Sequence, residues 1–220
     1  KAGEVTAIIG GTGSGKSTIA SLIPHFFEIQ SGSIMVDGID IRNLPSKELR
    51  DKIGYVPQKA FLFSGTISEN IRYGKKNASQ EQVIHAAKVA QAHEFITKMK
   101  KGYDSYVAQG GNNLSGGQKQ RLAIARAIIR KPEIYIFDDS FSALDFKTDA
   151  KLRKALKSEV GNSTVIIAAQ RLSTIMDADR IIVLDDGKIA GIGRHEGLMR
   201  SCDVYRQIAV SQLSEEELAR

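Results

Sequence analysis

The pattern of this sequence predicts an α/β fold: a mostly parallel sheet flanked by helices, with a helical insertion and a partial antiparallel β flank. Three observations carry that expectation. Five short runs rich in β-branched residues, at 5–9, 53–56, 134–137, 165–168 and 181–184, are mostly separated by helical stretches. Residues 68–130 break the alternation, because 80–99 and 116–129 both read as helical with few strand signals between them. Turn dipeptides at Asp37-Gly38 and Asp186-Gly187 adjoin short apolar runs at 33–36 and 188–190, which suits hairpins or an antiparallel flank. With 220 residues, 42% hydrophobic and 25% charged, the chain has the composition of one globular domain rather than a disordered or disulfide-built one. Its expected organisation is a core from 1–67 and 131–210, a helical part at about 68–130, and a polar, acidic tail at 211–220 with a weak helical pattern. No internal repeat or low-complexity segment interrupts it.

The first run, 5–9, leads into Gly10-Gly11-Thr12-Gly13-Ser14-Gly15-Lys16-Ser17, followed by a helical stretch at 18–23. This satisfies G-x-x-x-x-G-K-[ST] in the strand–loop–helix context that the phosphate loop of nucleotide-binding proteins requires. Glycines let backbone N–H groups converge on phosphate oxygens, Lys16 reaches toward the terminal phosphates, and Ser17 offers a hydroxyl to Mg²⁺. A P-loop NTPase core also needs a carboxylate at the end of a buried strand. The run 134–137 supplies it as Asp138, the expected Mg²⁺ carboxylate.

The remaining composition excludes more than it assigns. Lysine and arginine outnumber aspartate and glutamate 31 to 25, a net +6 compatible with nucleic acid, an anionic membrane surface or a phosphorylated ligand. The basic residues are scattered, with short clusters at 98–101 and 147–157 and no interleaved aromatic ladder, so they read as solvated surface and no nucleic-acid partner is expected. The single cysteine, Cys202, excludes an internal disulfide and a cysteine-based metal cluster; it reads as inert in a reducing setting. His25, His85, His93 and His195 lack metal-ligand spacing. The apolar runs fall short of the ~20 residues a membrane-spanning helix needs. An abrupt start at Lys1-Ala2-Gly3, without an initiator Met, is expected of a piece of a longer polypeptide.

Leu114-Ser115-Gly116-Gly117-Gln118-Lys119-Gln120-Arg121 resembles the signature of ATP-binding-cassette proteins. The resemblance covers essentially the whole chain, in the family's order: the phosphate loop, Gln58 in Tyr55-Val56-Pro57-Gln58 as the Q-loop, the signature, Asp138, and Ser142-Ala143-Leu144-Asp145 as the D-loop. It implies ATP and Mg²⁺ as cofactors and a head-to-tail pair of such domains, each nucleotide held between one phosphate loop and the opposing signature. Gly10, Gly11, Thr12, Gly13, Ser14, Gly15, Lys16, Ser17 and Thr18 would bind from one side. Ser115, Gly116, Gly117, Gln118 and Asp145 would bind from the other, while Ser17, Gln58 and Asp138 would hold the metal. Residues 61–67 followed by Asn70-Ile71, and Val107-Ala108-Gln109-Gly110-Gly111, resemble the exporter branch, where these segments touch coupling helices of membrane domains. The implied setting is the cytoplasmic face of a cell membrane, with the membrane domain outside this chain. Two other readings stay open: a soluble family member acting on nucleic acid or ribosomes, and a regulatory module that hardly hydrolyses ATP.

Three features depart from the family's pattern. Asp139 stands where the family has the Glu that polarises water, so its carboxylate sits one methylene back. Gln170 replaces the His that contacts the γ-phosphate, and its amide can donate a hydrogen bond but cannot become a cation. Only nine residues precede Gly10, so the family's adenine-stacking aromatic and opening antiparallel strands are not in the chain. With Asp139 and Gln170 altered and the signature intact, the sequence is expected to be the weakened-site subunit of a heterodimeric exporter.

Overall fold

The computed structural model describes residues 1–212; the tail read at 211–220 lies mostly outside them. Its strands are β1 (Val5–Gly10), β2 (Met35–Val36), β3 (Ile39–Asp40), β4 (Ile53–Val56), β5 (Gly65–Thr66), β6 (Tyr106–Val107), β7 (Ile134–Asp138), β8 (Thr164–Ala169), β9 (Arg180–Asp185) and β10 (Lys188–Gly193). The helices are α1 (Lys16–Leu22), α2 (Ser46–Asp51), α3 (Ile67–Arg72), α4 (Gln80–Val89), α5 (His93–Lys98), α6 (Gly116–Arg130), α7 (Phe146–Glu159), α8 (His195–Ser201) and α9 (Asp203–Gln212).

Six strands form one sheet in the order β10-β9-β1-β8-β7-β4, parallel except for β10 at the edge. Both faces are covered, so alternate residues along a strand enter different cores. Tyr135, Phe137, Val165, Ile167 and Ala169 join the larger core with Leu122, Ile128 and Leu152. Ile136 and Ala168, one residue out of phase, meet Ala20, Ile41 and Leu49 on the opposite face. Each large aliphatic or aromatic side chain so buried is worth about 1.5–3 kcal/mol.

Both turn dipeptides make hairpins. Asp37 and Gly38 have φ of 52° and 78°, Asp186 and Gly187 have 44° and 74°, the paired positive values that a two-residue turn matched to strand twist requires. The first closes the separate β2–β3 pair; the second returns β10 antiparallel to β9 within the main sheet.

The stretch 80–99 is not one helix. It divides into α4 and α5 at Gln91, whose φ of 56° lets Ala90 and Ala92 both stay buried. A residue other than glycine in the left-handed region gave no stop signal in the sequence. β5, which precedes α4, pairs with β6, which follows α5, strands too short for any periodicity to announce. α6 opens with a reciprocal cap in which the Gln118 N–H donates to Ser115 Oγ and the Ser115 N–H to Gln118 Oε1. It packs on α3, α4 and β4. Gly74 marks the closest approach: a Cβ there would lie 2.0 Å from the Arg126 carbonyl oxygen.

Candidate functional site

β1 ends at Gly10, where a Cβ would come within 2.3 Å of the Leu184 carbonyl oxygen, so only glycine fits this exit from the sheet. Gly13 and Gly15 follow with φ of 82° and 97°, and a Cβ at Gly11, Gly13 or Gly15 would face open space. The loop is thus an open cradle of backbone, with Thr12 and Thr18 exposed beside it. Lys16 is buried, its Nζ donating to the carbonyls of Gly10 at 2.8 Å and Gly11 at 2.7 Å and to Ser14 Oγ at 3.3 Å. Burial pulls its pKa below the ordinary lysine value, with Asp139 and Asp138 working the other way.

Two of the three metal-binding candidates, 121 positions apart in the chain, meet here. Ser17 Oγ on α1 donates to Asp138 Oδ1 at 2.7 Å, because β1 and β7 flank β8 and their carboxyl ends share one edge. A hydroxyl beside a carboxylate is a hard-oxygen donor set that fits Mg²⁺. Tyr55, not singled out from the sequence, donates its phenol to the other carboxylate oxygen at 3.0 Å. Burial is the first cause pushing that phenol up to about 12, so it remains a proton donor throughout the neutral range. Its only sequence signal is position, at the exit of β4 three residues before Gln58.

Gln58 Nε2 donates to Asp139 Oδ2 at 3.0 Å, which brings two more candidates together. Asp139 is buried with φ of 45°, a left-handed conformation in which Asp is tolerated better than most residues. Its N–H donates to the Ala168 carbonyl at 2.7 Å, and Ser140 Oγ donates to the Val56 carbonyl at 2.8 Å, so the turn after β7 is pinned to both neighbouring strands. Gln170 lies at the exposed end of β8.

The signature candidates are on a different surface. Ser115 and Gly116 are exposed at the start of α6, while Gln118 is turned inward to close the cap. A Cβ at Gly117 would lie 3.1 Å from the Ala143 carbonyl oxygen, which sets this helix end against residues 142–145. Asp145 caps α7 through Thr148, whose N–H and hydroxyl hold its carboxyl below the usual range. Gln120, buried in α6, donates to the Pro57 carbonyl at 3.0 Å and so links the signature helix to the segment carrying Gln58.

The loop 61–63 divides by alternation. Leu62 is fully buried, contrary to its expected place on a contact surface, whereas Phe61 and Phe63 are 52% and 41% exposed. Phe63 also packs on Tyr73, which is 53% exposed. Arg126 supports the patch from below, donating to the Phe61 and Asn70 carbonyls at 3.1 and 3.0 Å with its guanidinium 5.4 Å from the Phe63 ring.

Residues 1–142 match the family described as ABC transporter. The chain belongs to the ABC transporter family. It is 48% identical over 213 residues to an uncharacterized ABC transporter ATP-binding protein of Mycobacterium tuberculosis, covering 96% of this chain and 36% of that one. A putative multidrug export ATP-binding/permease protein of Bacillus subtilis is 44% identical, over 96% of this chain and 36% of its own. The structure of a bacterial Atm1-family ABC exporter with ATP bound superimposes with a TM-score of 0.94 at 42% identity, covering 97% of this chain and 38% of that chain. The chain is therefore an ABC ATP-binding domain of exporter type, with a P-loop NTPase fold, and it spans about a third of the length of these relatives. Among the described residues of the ABC domain, no helix is long and apolar enough to cross a membrane.

Proposed function

We propose that this ABC domain is the weakened-site motor subunit of a heterodimeric exporter. The carrying observation is an asymmetry within one chain: Asp139 and Gln170 stand at the hydrolytic positions, while Ser115, Gly116 and Gly117 are presented intact at the start of α6. ATP lies along residues 10–18, with Lys16 exchanging its carbonyl partners for phosphate oxygens. Ser17, Asp138 and the Gln58 side-chain oxygen would hold Mg²⁺, which would supply neutralisation of the terminal phosphates' charge. Asp139 orients the attacking water and accepts its proton, and Gln170 donates a hydrogen bond to the γ-phosphate. Both act with less reach or charge than Glu and His would supply.

In a head-to-tail pair, Ser115, Gly116 and Gly117 complete the partner domain's site, and the partner carries the stronger catalytic residues. Closure is passed to membrane helices through Phe61, Phe63 and Tyr73, an exposed aromatic patch whose backbone is tied by Arg126 and Asn70 to α6 and α3. On this reading the domain works at the cytoplasmic face of a membrane and substrate efflux is the output.

Gly116→Asp tests the asymmetry. A Cβ at 116 meets open space, whereas one at 117 would press on the Ala143 carbonyl at 3.1 Å, so the carboxylate at 116 opposes a phosphate without moving residues 142–145. In the full-length transporter, Gly116→Asp is expected to abolish most ATPase activity and Asp139→Asn to leave most of it. Activity that survives Gly116→Asp and is lost in Asp139→Asn would place the working site on this chain's own phosphate loop and refute the proposal.

A further inference from the structure

The segment after β8 is held by a residue from the far end of the described chain. Gln212, the last described residue of α9, donates from Nε2 to the Gln170 carbonyl at 2.8 Å and accepts at Oε1 from the Leu172 N–H at 2.8 Å. Residues 172–174 form a single 3₁₀ turn, and the Leu172 N–H is one of the opening donors such a turn leaves without a partner of its own. One carboxamide therefore brackets Arg171 on both sides. It does so from a firm base: Tyr205 and Ala209 of α9 are fully buried, and Tyr205 Oη lies 2.8 Å from His195 Nδ1 on α8.

Arg171, fixed between those two hydrogen bonds, reaches the other way. Its guanidinium donates to the Leu144 carbonyl at 3.0 Å and the Ser142 carbonyl at 2.8 Å, and lies 5.1 Å from the Phe146 ring centroid. Residues 142–145 in turn abut Gly117 at the start of α6. A continuous path of short polar contacts thus runs from α9 through residues 170–172 to the loop beside the signature.

We propose that Gln212 is a positioning residue for ATP hydrolysis: by clamping the backbone at Gln170 and Leu172 it aims the Gln170 amide at the nucleotide and holds Arg171 on residues 142–144. This rests on the reading that Gln170 faces the γ-phosphate. The device acts on the chemical step and leaves nucleotide binding, which belongs to residues 10–18, unchanged.

Two variants at this exposed residue separate the hydrogen bonds. Gln212→Ala removes both; Gln212→Glu keeps the acceptor for Leu172 N–H and removes the donor to the Gln170 carbonyl. In Gln212→Ala the Leu172 amide is expected to exchange with solvent about fivefold faster, the factor a hydrogen bond of ordinary net strength is worth. Gln212→Glu is expected to retain the protection. In a pair formed from this chain alone, where every site carries Gln170, phosphate release should fall about three- to tenfold in kcat for both variants, with KM for ATP within about twofold of wild type and α9 amides exchanging as before. Unchanged Leu172 exchange in Gln212→Ala overturns the clamp whatever the kinetics show. Faster exchange with unchanged kcat overturns its catalytic role. Gln170→Ala, measured alongside, separates the underlying reading: if it leaves kcat at the wild-type value, Gln170 does not serve the γ-phosphate and the catalytic half of the inference falls with that assignment.

Discussion

Restoring the family's residues through Asp139→Glu with Gln170→His is expected to raise turnover while lowering stability, two effects with separate origins in the structure. Asp139 Oδ2 lies 3.0 Å from Gln58 Nε2 and the backbone of the turn is pinned by the Ala168 and Val56 carbonyls, so the carboxylate cannot advance by moving the main chain. One added methylene extends its reach by about 1.5 Å. Since misplacement of a catalytic group by about 1 Å costs on the order of 100-fold, a gain of about 10- to 100-fold in kcat is expected once His also supplies a cation near the γ-phosphate. The cost arises at φ of 45°, where Asp is favoured and Glu is not. About 1 kcal/mol of strain lowers Tm by about 2–4 °C for a chain of this size. Phosphate release at saturating ATP, under conditions that permit two domains to associate, measures the first effect; thermal unfolding measures the second. A double variant that binds ATP yet turns over no faster than wild type would refute the impaired-site reasoning. A faster one with unaltered Tm would refute the strain argument alone.

Lys16→Ala is expected to weaken ATP binding about 100-fold by calorimetry, because it removes charge-assisted hydrogen bonds from the centre of the cradle; equal affinities would remove the phosphate-loop assignment. Gly74→Ala drives a Cβ to 2.0 Å from the Arg126 carbonyl oxygen and 2.8 Å from Ile129 Cγ2, so it should destabilise by about 3 kcal/mol and lower Tm by about 6–12 °C. Gly197→Ala is the control, since its Cβ meets nothing within 4 Å inside α8 and should leave Tm unchanged or slightly raised.

The sequence by itself determined the elements whose reasons are local. Runs of β-branched residues give the parallel strands β1, β4, β7, β8 and β9, because a strand buried on both faces has to be apolar throughout. Asp-Gly pairs give the two hairpins, because few residues accept consecutive positive φ. The phosphate loop is legible because backbone that must approach a phosphate requires glycines at fixed spacing, while the signature is legible through its resemblance to the family's. Other features depended on partners distant in sequence. The break at Gln91 follows from burying Ala90 and Ala92 together, and Leu62 is core because its neighbours Phe61 and Phe63 take the outer side of an extended loop. Tyr55 on Asp138 and Gln212 on residues 170 and 172 are hydrogen bonds across 83, 42 and 40 positions of chain. Nothing local marks such pairs, since a phenol or a carboxamide acquires its role only when the sheet brings the opposite end of the chain within about 3 Å.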